Sequence, residues 1–244
     1  MSPGREEGGV RTVDEGQARD ALRACTIFRF VDDATLALCA KELQHRRFRR
    51  AETIFHQGDP GDALHVVRSG SVRIVLPSPS GREDAILVTL GPGEFFGELA
   101  ILDGRPHSAT VIAAEPTETL VLRRDAFDRL LDEQPVMARA LLAALADELR
   151  RLTGHVEALH FLDLPGRLAN RIVQLAAAAS PGARRDVRLD WPYTQAELAA
   201  MIGGSRESVN RLMGGLVANG LVRVDRDALV IADVERLAGE AARP

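Results

Sequence analysis

The fold is decided near the C-terminal end of the 244-residue chain, by the stretch Thr194-Gln-Ala-Glu-Leu-Ala-Ala-Met-Ile-Gly-Gly-Ser-Arg-Glu-Ser-Val-Asn-Arg-Leu-Met213. Thr194, with Glu197 three residues later, matches a capping box that starts a helix. Gly203-Gly204 predicts a tight turn, and Ser205 is a good N-cap for a second helix. The stretch therefore predicts a helix-turn-helix. Apolar residues at helical spacing would form its interior: Leu198, Met201, Ile202, Val209, Leu212 and Leu216.

The second predicted helix begins with residue types that read DNA bases. Glu207 and Arg211 are four residues apart and Arg206 is adjacent, so the three side chains lie near one helix face. Arginine pairs with guanine O6 and N7, and a glutamate accepts a hydrogen bond from cytosine N4. We expect each good base contact to discriminate by about 1–3 kcal/mol. The alternative is an ordinary charged surface helix, but a predicted hairpin at 221–224 and 228–231 favours a winged helix-turn-helix that binds double-stranded DNA.

Composition limits the class of protein. Apolar residues make up 45% of the chain, enough for two packed domains, and the net charge of −4 does not itself indicate DNA binding. Two cysteines, Cys25 and Cys39, are too few for a disulfide framework and are expected to be buried thiols. Residues 1–17 read as a disordered arm without the apolar core of a secretion signal. No run is long enough to span a membrane, so we expect a cytoplasmic protein with no membrane partner.

The middle of the N-terminal half is rich in short strands. Short helices are expected between Ala18 and Leu43. From Phe48 to Arg124, β-prone runs alternate with glycine and proline turns, which predicts an antiparallel roll or jelly roll. The strands are expected at 65–67, 71–76, 85–90, 109–112 and 118–122. The fold class is therefore α+β.

A long helix follows from Pro135 to about His160. Its apolar residues alternate at spacings of four and three, which is the heptad pattern of a two-stranded coiled coil. This seam predicts a homodimer. A helix packed on its own domain is the alternative, although it usually has a broader apolar face. Leu164-Pro165-Gly166 predicts a break and a hinge. The expected dimer contacts are Leu142, Leu145, Leu149, Leu152, Val156 and Leu159.

Three blocks of sequence resemble the cyclic-AMP receptor protein/FNR (Crp/Fnr) family of bacterial transcription regulators: residues 93–110, 161–169 and 194–211. The resemblance implies an effector domain at 18–133, a dimerisation helix at 134–162 and a winged helix-turn-helix at 163–244. It implies base reading by Arg206, Glu207 and Arg211, phosphate contacts from Ser205 and Thr194, a palindromic TGTGA-like site, and RNA polymerase as a further partner.

The roll contains a candidate effector site. Gly97 lets a backbone pass close to a ligand, and Glu98 can accept hydrogen bonds from hydroxyl groups. The resemblance implies that Gly97-Glu98-Leu99 and Ser108 bind a cyclic nucleotide, with His107 where such members carry an arginine. A neutral imidazole cannot replace a guanidinium fork, although a His107 protonated beside a phosphate, or Arg105 two residues earlier, could substitute in part.

The long helix departs from that pattern as well. Leu152 falls where those members place an adenine-contacting threonine, and Thr153 is the next hydroxyl. Cyclic AMP is therefore the candidate effector, and the alternatives are another small ligand or DNA binding that depends little on a ligand.

Two other classes of protein remain as alternatives. A metal-dependent jelly-roll enzyme would need clustered ligands, but His45, His56, His65 and His107 are irregularly spaced. We therefore expect no metal and no enzymatic activity. A haem sensor using His65 or His107 is the second alternative. The basic run 45–50 suits a solvated edge, with a contact to DNA or polymerase as the other interpretation.

Overall fold

The computed structural model describes residues 15–28, 31–78, 84–191, 193–226 and 228–241. The chain divides into two compact units, Met1–Glu148 and Leu149–Pro244. Most of the predicted N-terminal arm lies outside the described residues. Its boundary at residue 17 was wrong, because the first helix already begins at Glu15.

The first unit combines helices with two antiparallel sheets. Its helices are α1 (Glu15–Ala24), a 3₁₀ turn (Thr26–Phe28), α2 (Asp33–Glu42), α3 (Glu98–Asp103), α4 (Arg124–Glu133) and the beginning of α5 (Pro135–Phe161). Its strands are β1 (Gln44–Phe48), β2 (Thr53–Phe55), β3 (Ala63–Ser69), β4 (Val72–Leu76), β5 (Ala85–Leu90), β6 (Phe95–Phe96), β7 (Thr110–Ala113) and β8 (Thr117–Arg123). The sheet orders are β1-β8-β3-β6 and β2-β7-β4-β5, which confirms the predicted roll.

Strand β3 is buried on both faces, and its alternating side chains enter two different cores. Leu64 and Val66 join a core with the helices, whereas Val67 joins the core inside the roll with Phe96. The helix-side core also encloses Cys25 and Cys39, as predicted. Burial raises the pKa of Cys25 to about 12 and that of Cys39 to about 11, so both thiols stay protonated at neutral pH.

The basic run forms the edge strand β1, which pairs only with β8 in its sheet. Arg47 Nε lies 2.9 Å from a Glu118 carboxylate oxygen, and Arg68 Nη1 lies 3.5 Å from the other oxygen. This geometry favours the solvated-edge interpretation, since charged side chains protect an edge strand from pairing with other chains.

Helix α5 has two kinds of apolar surface. Met137 and Leu141 are buried in the helix-side core of the first unit, Leu145 is half-buried against it, and Ala140 is also buried. The remaining seam residues are exposed, by between 41% and 66% of their surface: Leu142, Leu149, Leu152, Val156 and Leu159. The start of the helix therefore packs on its own domain, while the seam that predicts a homodimer stays exposed.

The second unit contains the rest of α5 and a small three-stranded sheet. Its other elements are α6 (Leu164–Ala179), β9 (Arg185–Asp190), α7 (Gln195–Ile202), α8 (Arg206–Ala218), β10 (Val222–Asp225), β11 (Ala228–Asp233) and α9 (Val234–Ala241). The sheet order is β10-β11-β9, so the predicted wing hairpin gains a third antiparallel strand.

The structure places the predicted break at Leu164-Pro165-Gly166 two residues earlier in the chain. These residues form the first turn of α6, where a proline is tolerated because its missing N–H has no intrahelical acceptor. Asp163 is the N-cap and accepts a 2.8 Å hydrogen bond from the Gly166 amide. The interruption between helices therefore lies at residues 162–163.

Within the described part of the chain, no helix is both long enough and apolar enough to cross a lipid bilayer.

Candidate DNA-reading helix and effector site

The predicted capping box is present at the start of α7. The Glu197 amide donates to Thr194 Oγ1 at 3.2 Å, and the Thr194 amide donates to Glu197 Oε2 at 2.7 Å. These bonds satisfy two backbone donors that the helix itself cannot, so the chain enters α7 in a single conformation.

Backbone conformation accounts for the first glycine of the turn. Gly203 adopts the left-handed conformation at φ 67° as the C-cap of α7, which glycine adopts without steric cost. A Cβ on Gly204 would lie 2.9 Å from Leu164 Cδ1 in the first turn of α6, so a larger residue there would require this leucine side chain to shift.

Helix α8 presents the predicted base readers on its first turns. Ser205 is its N-cap, with Oγ accepting a 3.2 Å bond from the Ser208 amide. Arg206, Glu207 and Arg211 are exposed, whereas Val209 and Met213 of the same helix are buried. Hydrogen bonds from its own amide and from Ser205, with a smaller contribution from Arg206, lower the pKa of Glu207. Its carboxylate is therefore ionised at neutral pH and able to accept a hydrogen bond from a base.

The wing adds cationic residues that the sequence prediction did not name. Arg223 and Arg226 are exposed in and just after β10, and Arg226 adopts a positive φ of 49° in the turn. Arg188 of β9 is paired with Asp225 at 2.8 Å. The sequence feature that could have revealed this cationic surface was the pair of arginines on either side of the predicted hairpin turn.

The candidate effector residues of the roll come together around α3. Gly97 is the N-cap of α3 at φ 86°, and a Cβ there would lie 2.7 Å from the Ala63 carbonyl oxygen. Glu98 is half-buried, and Leu99 keeps 48% of its surface exposed. The same built Cβ on Gly97 would lie 3.8 Å from His107 Cε1, so the glycine and the histidine are neighbours.

His107 is buried and packs on an aromatic side chain of the roll. It is 8% exposed, and its ring stacks on Phe55 with 3.5 Å between centroids and 5° between planes. Burial lowers the pKa of His107, and the carboxylates of Asp59 and Asp62 oppose this shift only in part. The neutral imidazole is therefore favoured in these surroundings, and substitution of a protonated His107 for the missing arginine stays a prediction.

The other candidate residues of the effector site are exposed or form hydrogen bonds within the protein. Ser108 is exposed, and its carbonyl oxygen accepts a 3.0 Å bond from Gln57 Nε2. Thr153 Oγ1 donates at 2.9 Å to the Leu149 carbonyl of its own helix, and Leu152 is 41% exposed. Arg105 is 83% exposed beside Asp103. The candidate site thus contains a half-buried carboxylate, Glu98, and an imidazole at position 107 whose charged form is disfavoured.

The histidines of the described residues form no metal site, since no group of three or more potential ligands is found there. His65 is buried within the roll, with its ring stacked on Phe96 at 4.8 Å between centroids.

Comparisons with known proteins agree with this architecture. Residues 45–134 match the cyclic nucleotide-binding domain, and residues 166–240 match the Crp-like helix-turn-helix domain. The chain is 34% identical to a CRP-like cAMP-activated global transcriptional regulator of Mycobacterium tuberculosis, over 91% of this chain and 99% of that protein. It is 34% identical to the cyclic AMP receptor protein of Thermus thermophilus, over 83% of this chain and 90% of that protein.

A solved structure shares the fold. FixK2 from Bradyrhizobium japonicum superimposes with a TM-score of 0.73 at 22% identity, over 83% of this chain and 98% of that one. The relatives are transcriptional regulators rather than enzymes. From the matched domains and the similarity along nearly its whole length, the chain belongs to the Crp/Fnr family of transcription regulators.

Proposed function

We propose that this regulator is a homodimer that binds a palindromic, TGTGA-like DNA site in the cytoplasm. The observation that carries the proposal is the exposed face of Arg206, Glu207 and Arg211 at the start of α8. Two such helices, brought together through the exposed seam of α5, would enter successive major grooves about one helical turn apart. RNA polymerase is the further partner expected for a regulator of this family.

Each reader has a proposed role. Arg206 and Arg211 donate to guanine, and the ionised Glu207 accepts from cytosine N4. Thr194 and Ser205 contact phosphates, which orients α8 without selecting sequence. The exposed arginines of the wing add sequence-independent attraction to the DNA backbone.

The readout is tested with Arg206→Ala. We expect specific binding to weaken by about 1–3 kcal/mol and preference to relax at one base pair of each half-site. Arg236→Ala is the matched control, since Arg236 is exposed in α9. Affinities for a palindrome and its single-base variants, measured by fluorescence anisotropy at fixed salt, decide the matter. Unchanged base preference in the Arg206 variant would refute the assignment.

We further propose that the roll binds a small effector, with cyclic AMP as the first candidate. The matched domain and the names of the relatives support a cyclic nucleotide. Gly97, Glu98, Leu99 and Ser108 are the proposed contacts from the roll, and Leu152 and Thr153 those from α5. The neutral, stacked His107 favours the alternative that another ligand acts or that DNA binding depends little on a ligand.

Calorimetry with cyclic AMP and cyclic GMP distinguishes these effectors, and a DNA titration with and without cyclic AMP measures the coupling. A rise in DNA affinity of roughly a hundredfold would reject ligand-independent binding. Absence of binding heat together with unchanged DNA affinity would reject cyclic AMP.

A further inference from the structure

Three segments that are separate in sequence meet at the candidate effector site: the turn 57–62, helix α3, and the loop 105–108. The turn and the loop are joined by backbone hydrogen bonds. The Gly58 amide donates to the His107 carbonyl at 2.9 Å, and the His107 amide donates to the Asp59 carbonyl at 2.9 Å. A displacement of the turn would therefore move the loop as well.

The turn also packs against α3 at backbone distance. A Cβ on Gly61 would lie 2.4 Å from Ala100 Cβ and 2.7 Å from His107 Cε1. Neither gap could hold a side chain, so the Gly61 backbone fills the space between α3 and the His107 ring.

Arg124, the first residue of α4, fastens two of these segments. Its guanidinium donates to the carbonyl of Ala100 at 2.7 Å, to that of Ile101, and to that of Gly61 at 2.8 Å. Its backbone amide donates to the Asp62 carbonyl at 2.8 Å. Two nitrogens of the planar guanidinium reach these three carbonyls, whereas a lysine presents its three donors on a single nitrogen.

We propose that Arg124 is a positioning residue for the effector site. By holding the last turn of α3 to the turn 57–62, it fixes the direction in which Glu98 and Leu99 are presented. It also ties the site to α4, so that ligand contacts at α3 are made against a fixed support. The effect on ligand affinity rests on the proposed function, whereas the effect on local order does not.

The test compares Arg124→Met with Arg123→Met in the full chain. Arg123 is the adjacent residue and contacts the same turn, through a 3.0 Å ion pair with Asp62 in which the side chains are 53% and 64% exposed. Such an exposed pair contributes little to stability, so this variant controls for loss of a nearby charge. Arg124→Lys keeps the charge without the fork and remains informative if the methionine variant does not fold.

Hydrogen exchange without ligand measures local order. We expect Arg124→Met to speed amide exchange in 57–62 and 98–104 by roughly tenfold to a hundredfold, because charge-assisted bonds to three carbonyls are lost. Exchange in α1 and α2 should be unchanged, and Arg123→Met should resemble the wild type. Equal exchange in the two methionine variants would overturn the proposal, as would wild-type exchange in Arg124→Lys.

Calorimetry with cyclic AMP measures positioning. We expect Arg124→Met to weaken the affinity for cyclic AMP at least about tenfold while amide exchange in α1 and α2 stays at the wild-type rate. The affinity of Arg123→Met should lie within about twofold of that of the wild type. Local loosening with wild-type affinity would overturn the positioning role. If the wild type binds no cyclic AMP, the proposed effector fails, and the exchange experiment alone decides whether Arg124 orders the site.

Discussion

His65 is a neutral histidine in an interior that disfavours its charged form. Its Nδ1 lies 3.3 Å from Thr119 Oγ1, and burial lowers its pKa to about 3, with smaller contributions from Arg46 and His107. An unfolded chain would protonate the same side chain near pH 6.5. Between pH 6.5 and 3 the unfolded state therefore binds the extra proton, and stability falls as the pH is lowered through that window.

We expect His65→Phe to flatten this pH dependence. The ring position is kept while the titrating group is removed, and one group can contribute at most about 1.4 kcal/mol per pH unit. The free energy of unfolding in urea, followed by circular dichroism at pH 7.5 and 5.0, measures the change. His56→Gln is the control, since His56 is exposed. Equal slopes in His65→Phe and wild type would contradict the assignment.

At the residue scale, the cap and turn before α8 were predictable, whereas the surroundings of His107 were not. Arg206 and Glu207 follow a cap and turn whose chemistry is entirely local. The orientation of His107 depends on Phe55, which comes from β2 far earlier in the chain. No sequence pattern reports such a stack, so the burial of His107 could not be predicted.

At the scale of the element, α8 contains a glycine where a helix prefers alanine. Gly214 lies in the middle of the helix, and a Cβ there would meet nothing within 4 Å. We expect Gly214→Ala to stabilise the second unit by about 0.5–1 kcal/mol, because alanine loses less backbone freedom on folding.

Gly203→Ala provides the opposite case in the same motif. Its φ of 67° is costly for alanine, and the Cβ would lie 3.2 Å from Arg167 Nη1, so we expect a loss of at least about 1 kcal/mol. Fluorescence of Trp191, the single tryptophan and a residue of the second unit, follows thermal unfolding of both variants. Shifts of the same sign would contradict this account.

The elements that the sequence predicted well carry their own signals. Capping residues bound α7 and α8, and the heptad spacing defined α5. Strand β1 was missed because its sequence, Gln-His-Arg-Arg-Phe, has the charges of an edge rather than an apolar alternation. Strand β6 has two residues and exists only through its pairing with β3.

At the scale of the whole molecule, we propose that a second copy of the chain covers the exposed seam of α5. Leu149 is 66% exposed in the single chain, which is unusual for a leucine within an unbroken apolar stripe. We expect Leu149→Glu to weaken dimerisation at least about a hundredfold, since two carboxylates would be buried facing each other. Sedimentation equilibrium measures the association.

Leu38→Glu is the control for that experiment, because Leu38 is 52% exposed in α2, outside the seam. The control should remain dimeric and bind the palindrome normally. A Leu149→Glu protein that stays dimeric would show that association uses a different surface.

The order of the domains could be predicted from the sequence, because each domain contains a motif of consecutive residues. The half-buried Leu145 shows the limit of that reading, since the seam alone could not tell which positions already pack on the first unit. The candidate effector site in the roll likewise could not be predicted as a whole. The turn 57–62, helix α3 and the loop 105–108 come together only when both sheets have formed.

The capping box leaves the hydroxyl proton of Thr194 available, because Oγ1 serves as the acceptor for the Glu197 amide. Aspartate caps a helix as well as threonine does, but it would place a negative charge against DNA phosphates. Thr194→Asp should therefore keep the thermal stability of the second unit while lowering affinity for all DNA sequences alike, as a titration over several salt concentrations would show. Wild-type affinity in this variant would exclude a phosphate contact. If the affinity does fall, Thr194 sets how strongly the protein binds DNA without influencing which DNA sites, and therefore which genes, it selects.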